Sequence, residues 1–172
     1  MNVIEEQASR QLSALAEVSD SLQKARIAYW LFGGWAVDFY VGSVTRLHDD
    51  IDLAVWFVDV PQITKLLLTN GWRHAPSDDE DGGTGFERGG VRLELTYLVH
   101  GDDGRAYIPL RSETVVWPGK DALADDVGEL RGVRSRLIGI ESLLHGKAKP
   151  REDVEDAAKD RADFTHLSRL LS

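Results

Sequence analysis

The sequence contains no cysteine. That removes a disulfide framework, a thiolate zinc site and a cysteine nucleophile together, and it accords with a reducing cytoplasm. No run of apolar residues approaches the length of a membrane span. The N-terminus, Asn2-Val3-Ile4-Glu5-Glu6 after Met1, is acidic and lacks the basic region of a signal peptide, so a cytoplasmic protein is expected. Positive charge is scarce as well: 20 Lys and Arg stand against 29 Asp and Glu, a net charge of -9. A surface of that sign repels phosphate backbones, which argues against general binding of DNA or RNA. It attracts a cationic small molecule, although acidity also serves simply to keep a protein in solution.

What is present describes one ordinary domain. The chain has 172 residues, 42% of them hydrophobic, enough to bury a core. Leu12, Leu15, Val18 and Leu22 recur at helical spacing, predicting an amphipathic helix over 6–25. Ile27 to Phe32 reads as a buried strand ending at Gly33-Gly34, and Trp35 to Val41 as a short helix closed by Gly42. Ile51 to Val58 is a second strand, and Pro61 opens a helix that Asn70-Gly71 ends. The acidic, glycine-rich Ser77 to Gly85 reads as an exposed loop. Phe86-Glu87-Arg88 and Val91 to Val99 read as strands joined by Gly89-Gly90, with further short strands near Tyr107 and Val115. From Ile138 the pattern turns helical, with a last helix starting at Pro150 and a stripe of Val154, Ala157, Arg161, Phe164, Leu167 and Leu171. The expectation is an α+β domain with a mixed sheet, a core over about 26–118 and a helical C-terminal portion over about 119–172.

Three features carry chemistry. Asp50 and Asp52 fall on one face of the second strand, with Ile51 and Leu53 on the other. Two carboxylates so close repel unless a cation lies between them, and hard oxygen donors suit magnesium; two solvated acids at a strand start would look the same. Gly33-Gly34 between strand and helix lets the backbone approach a ligand and aims N–H groups at an anion, or else serves packing alone. Neither a P-loop nor a dinucleotide fingerprint is present. Glu94 is a charged residue in mid-strand, either a third site acid or the solvent side of a one-sided sheet.

Taken together, Trp30-Leu31-Phe32-Gly33-Gly34-Trp35-Ala36-Val37-Asp38, then Gly42, then Thr45-Arg46-Leu47-His48-Asp49-Asp50-Ile51-Asp52, resembles the signature of the aminoglycoside and lincosamide nucleotidyltransferases. These belong to the DNA polymerase β-like nucleotidyltransferase superfamily. The likeness is clearest over residues 27 to 60 and extends through Glu94.

The resemblance implies the polymerase β-like fold with flanking helices. It implies transfer of a nucleoside monophosphate, AMP for an ATP co-substrate, to a hydroxyl of a small molecule such as an aminoglycoside or lincosamide, with two magnesium ions. Gly33 and Gly34 would hold the β- and γ-phosphates, and Asp50 and Asp52 would hold the metal. Glu94 would be a metal ligand, the base for the acceptor hydroxyl, or both. Arg46 would contact the triphosphate or brace the carboxylates. Lys159, in a Lys-Asp-x-x-Asp-Phe pattern, would approach the nucleotide or stand solvated on its helix. A one-residue slip would put Asp49 in place of Asp50, and His48 would orient the acids or serve structure. A homodimer is also implied. Two rival readings are a toxin–antitoxin type of nucleotidyltransferase acting on protein or tRNA, and a non-catalytic nucleotide-binding module.

Overall fold

The computed structural model describes residues 2–119 and 122–172. The expected boundary near 118–119 is followed at once by Lys120 and Asp121, which with Met1 lie outside the described residues.

Helix α1 (Val3–Lys24) opens the chain, with the Asn2 side chain accepting from Glu5 N at 2.8 Å. Its buried side, with Leu12, Leu15, Val18 and Leu22, is the predicted stripe. Strand β1 (Tyr29–Phe32) leads directly into α2 (Gly33–Val41), which ends at left-handed Gly42 (φ 87°). Strand β2 (Ile51–Trp56) is followed by one turn of 3-10 helix (Phe57–Asp59) rather than more strand, and then by α3 (Val60–Thr69) with Pro61 in its first turn.

Next come β3 (Arg73–His74), β4 (Gly83–Arg88), β5 (Val91–His100), β6 (Ala106–Pro109) and β7 (Thr114–Val116). The expected loop over 77–85 is shortened, because β4 begins at Gly83 and buries Thr84 against the core. The β4–β5 hairpin turns on Gly89 and Gly90 with φ of 57° and 79°, the positive pair such a turn demands. On β5 the alternation slips after Leu95: Leu98 is buried while Tyr97 and Val99 are only partly so, the reverse of the sequence reading.

The sheet runs β1-β2-β5-β4-β3, with β6 and β7 continuing from the far end of β5. Only β2 and β5 pair in parallel in this sheet; the other neighbours are antiparallel. Ile51, Leu53 and Val55 of β2 and Leu93 and Leu95 of β5 are buried in the core with the apolar side of α1. Each such side chain contributes about 1.5–3 kcal/mol by burial. The opposite parity carries Asp52 and Glu94.

The C-terminal portion is helical, as expected, but a hairpin precedes the helices: β8 (Val127–Leu130) and β9 (Val133–Arg136). Beyond it, Ile138 N donates to Leu31 O at 2.9 Å, which draws the chain alongside β1. Helix α4 (Ile140–Ala148) and helix α5 (Val154–Leu171) then pack on each other and on α2. Helix α5 starts four residues after Pro150; Asp153 caps it, accepting from Asp156 N at 2.9 Å. The predicted stripe is corrected too: Val154 and Leu171 are exposed, and the buried side of α5 is Asp160, Asp163 and Leu167. No helix among the described residues is long and apolar enough to cross a membrane.

Candidate active site

The end of β1, the start of α2 and the start of β2 meet at one cleft of about 610 Å³. Gly33 has φ +70°, and a β-carbon there would collide with the Asp52 carboxylate. A β-carbon on Gly34 would come within 2.5 Å of both Arg46 Nη2 and His48 Nδ1. The glycine pair is therefore the space into which Asp52, Arg46 and His48 fit. No side chain caps the N-terminus of α2, so its first-turn N–H groups are available at a cleft that Gly33 and Gly34 line.

The rest of the motif is scaffold. Asp38, fully buried, accepts from Thr45 Oγ1 at 2.5 Å and Thr45 N at 3.2 Å and pairs with His48 Nε2 at 2.6 Å. The His48 carbonyl accepts from Gln11 Nε2 at 2.9 Å and Gln7 Nε2 at 3.1 Å, while Gln11 Oε1 accepts from Trp35 Nε1 at 3.0 Å. These bonds fix the loop over 42–50, which delivers Arg46 and Asp50. Of the two roles open to His48, the hydrogen bond to Asp38 is the structural one.

Asp50, immediately before β2, and Asp52, within it, both line the cleft. Burial pushes the Asp52 carboxyl well above the ordinary range, and the adjacent Asp50 and Glu94 add to it. Burial also raises Asp50, with Asp49 adding and Arg92 opposing. Asp49 instead reaches out to Lys159 Nζ at 2.8 Å, and that hydrogen bond holds its carboxyl low. Asp49 and Asp50 both line the cleft, Asp49 held by Lys159 and Asp50 two positions from Asp52.

Glu94 stands opposite Asp52 in the parallel register of β2 and β5. Its Oε1 accepts from Arg92 Nε at 2.5 Å. Burial raises its carboxyl, with Asp50 and Glu80 adding and Arg92 opposing. Glu94 lies outside the cleft's lining, and no group of three His, Asp or Glu among the described residues is arranged to hold a metal. The donor set fits magnesium in another way: two mutually repelling carboxylates on an open cleft leave coordination positions for phosphate oxygens and water, the pattern this ion prefers.

The facing wall comes from α4 and α5, and sequence reasoning missed most of it. Lys147, Lys149 and Arg151 line the cleft beside the expected Lys159. Asp163, fully buried, accepts from Arg46 Nη2 at 3.0 Å and Nε at 3.3 Å and pairs with Lys147 Nζ at 2.9 Å. The available signal was the spacing of Asp156, Asp160 and Asp163 along one helix side. Phe32 and Trp117, edge to face at 5.2 Å, give the cleft its apolar end. Trp72 is core, and the acidic run Asp78 to Asp81 lies outside the cleft's lining, Asp81 accepting from Arg111 N at 2.9 Å.

A family model described as aminoglycoside-2''-adenylyltransferase matches residues 14–134. A 2''-aminoglycoside nucleotidyltransferase of Klebsiella pneumoniae is 40% identical over 43 residues, 25% of this chain and 24% of that protein. The match thus spans about a quarter of the curated relative's length. Two solved structures share the fold at 20% identity. One, a lincosamide antibiotic adenylyltransferase with lincomycin bound, has a TM-score of 0.67 over 87% of this chain and 90% of its own. The other, ANT(2'')-Ia with adenylyl-2''-tobramycin, has a TM-score of 0.69 over 95% and 90%.

Proposed function

The chain belongs to the aminoglycoside-2''-adenylyltransferase family, and from that premise we propose that it transfers AMP from ATP to a hydroxyl of an aminoglycoside, releasing pyrophosphate. The observation that carries this reading is the convergence, on one cleft, of the Asp50–Asp52 pair, the uncapped start of α2 and the lysines of α4 and α5. That is a site for a polyanion whose metal is shared between protein and ligand. Sheet and C-terminal helices act as one domain.

In this reading the backbone N–H groups at Gly33 and Gly34 hold the outer phosphates, and Arg46, Lys147 and Lys159 balance their charge. Asp50 and Asp52 would hold the magnesium, two ions in this reading, and the metal would supply charge neutralisation for the triphosphate. The acceptor oxygen bonds to the α-phosphorus, the bond from that phosphorus to the bridging oxygen breaks, and pyrophosphate leaves. Glu94, once released from Arg92, takes the hydroxyl proton. Most of the rate comes from positioning and electrostatics. The aminoglycoside and lincosamide substrates of the relatives support an antibiotic acceptor, with a lincosamide as second choice. No observation favours a protein or tRNA acceptor.

The test is pyrophosphate release with Mg²⁺, each NTP and a panel of aminoglycosides, lincosamides and tRNA. Release with ATP and an aminoglycoside is expected, and none from Asp52→Asn, which keeps its melting transition. An active Asp52→Asn protein overturns the metal assignment, and silence with every acceptor overturns the transferase.

A further inference from the structure

One polar group in the cleft has no role in the chemistry above. Asp160 is 6% exposed and lines the cleft from the α5 side. Its Oδ1 accepts from Lys147 Nζ at 3.3 Å, but its buried Oδ2 has no hydrogen-bond partner among the described residues. Arg151 Nη1 stands 3.6 Å from that oxygen, beyond hydrogen-bonding reach, and Arg151 Nη2 is committed to Asp156 at 2.8 Å. A buried carboxylate oxygen without a donor is unfavourable, so a donor that enters the cleft and displaces the half-exposed Arg151 side chain from it is recognised.

The surroundings say what kind of donor. Lys147 and Arg151 flank Asp160, and Lys159 is its chain neighbour. An ammonium group of a cationic acceptor is repelled there, whereas a neutral donor carried by an anion is drawn in. Lys147 also touches Asp163, which holds Arg46 against the Gly34 turn, so Asp160 borders the cations that face the phosphates. The part of an NTP next to its phosphates is the sugar. The geometry points to Asp160 as the residue that reads the ribose: Oδ2 accepts a hydrogen bond from a ribose hydroxyl, and the protein thereby selects ribonucleotides. This rests on the transferase reading only in taking an NTP as the ligand.

Calorimetry on the full chain with Mg²⁺ and no acceptor separates the two. Wild type is expected to bind ATP about tenfold or more tightly than 2',3'-dideoxy-ATP. In Asp160→Asn the amide oxygen turns to Lys147 and its NH₂ faces the cleft, so the ratio should collapse to within about twofold. The 2'-deoxy and 3'-deoxy nucleotides identify the hydroxyl. Equal wild-type affinity for ATP and the dideoxy nucleotide overturns the inference even if Asp160→Asn does not fold. So does an Asp160→Asn protein that keeps the full preference. Discrimination against purine riboside triphosphate, which lacks the 6-amino group, without discrimination against the dideoxy sugar overturns it in favour of base reading. A preserved ribose preference in a protein that transfers to no acceptor supports the inference while the transferase reading fails. No binding of ATP overturns both.

Discussion

The carboxylate of Asp52 fills the space that a β-carbon on Gly33 would need, and Gly33 holds φ +70° to leave it there. Strand β1, the turn and strand β2 are therefore coupled through one absent methyl group. Gly33→Ala should show both consequences. Left-handed strain costs about 1–2 kcal/mol, which lowers the melting temperature of a chain this size by about 2–8 °C. Displacement of Asp52 should lower nucleotidyl transfer about 100-fold, as misplacements of about an ångström do. A Gly33→Ala protein with wild-type transfer would refute the role assigned to this contact.

The same stretch explains what was legible in the sequence. Gly33, Gly34, Asp50 and Asp52 lie within one strand–turn–helix–loop–strand run; parity and turn chemistry marked them as candidates, the resemblance joined them, and all four line one cleft. Glu94 needed only the alternation of β5, and the register sets it beside Asp52. The role of His48 was not legible, because its partner Asp38 is identified only once the loop is folded over α2. The cationic wall was hidden for a related reason. Hydrophobic periodicity ranks Val154 and Phe164 with Leu167 as the inner side of α5, yet the side chains buried beside Leu167 are Asp160 and Asp163, whose cationic partners lie 13 and 117 residues away. Buried charge defeats a hydrophobic pattern whenever its partner is remote in sequence. The β8–β9 hairpin was missed because three of its positions, Val127, Glu129 and Arg134, are exposed and give no apolar period.

Glu94 gives the reaction a measurable pH dependence. Its carboxyl is raised by burial, with Asp50 and Glu80 adding and Arg92 opposing. A base works only when ionised, so kcat/KM should fall as pH falls through the value of this carboxyl, which its burial raises. The profile is taken at saturating Mg²⁺, which keeps Asp50 and Asp52 ionised. Glu94→Gln should lower the rate by about 10²–10⁴ and erase that acidic limb. Arg92→Met, which removes the opposing cation, should move the limb to higher pH. An acidic limb unchanged in Glu94→Gln assigns the proton to another group.

Asp163 is the buried anion on which the two halves of the cleft lean, taking Arg46 from the motif loop and Lys147 from α4. Burial alone would raise its carboxyl; Arg46 and Lys147 together outweigh that and hold it below the ordinary value. The sign follows from linkage. A lowered folded-state value means stability fully present above the unfolded carboxylate pKa of about 3.9 and lost as pH falls below it through the lowered one. Asp163→Asn keeps the shape and removes the charge, leaving the partly buried Arg46 without its partner and Lys147 with Asp160 alone, a loss of about 3–5 kcal/mol at neutral pH. The exposed Lys159–Asp49 pair offers the contrast: Lys159→Met should change stability by less than about 1 kcal/mol. Urea unfolding between pH 7 and pH 3 reads both effects. The wild type should lose stability more steeply than Asp163→Asn across the acidic end, so that the two curves converge. Curves that stay parallel would mean that the charge of Asp163 does not hold these elements together, and that the asparagine acts by packing alone.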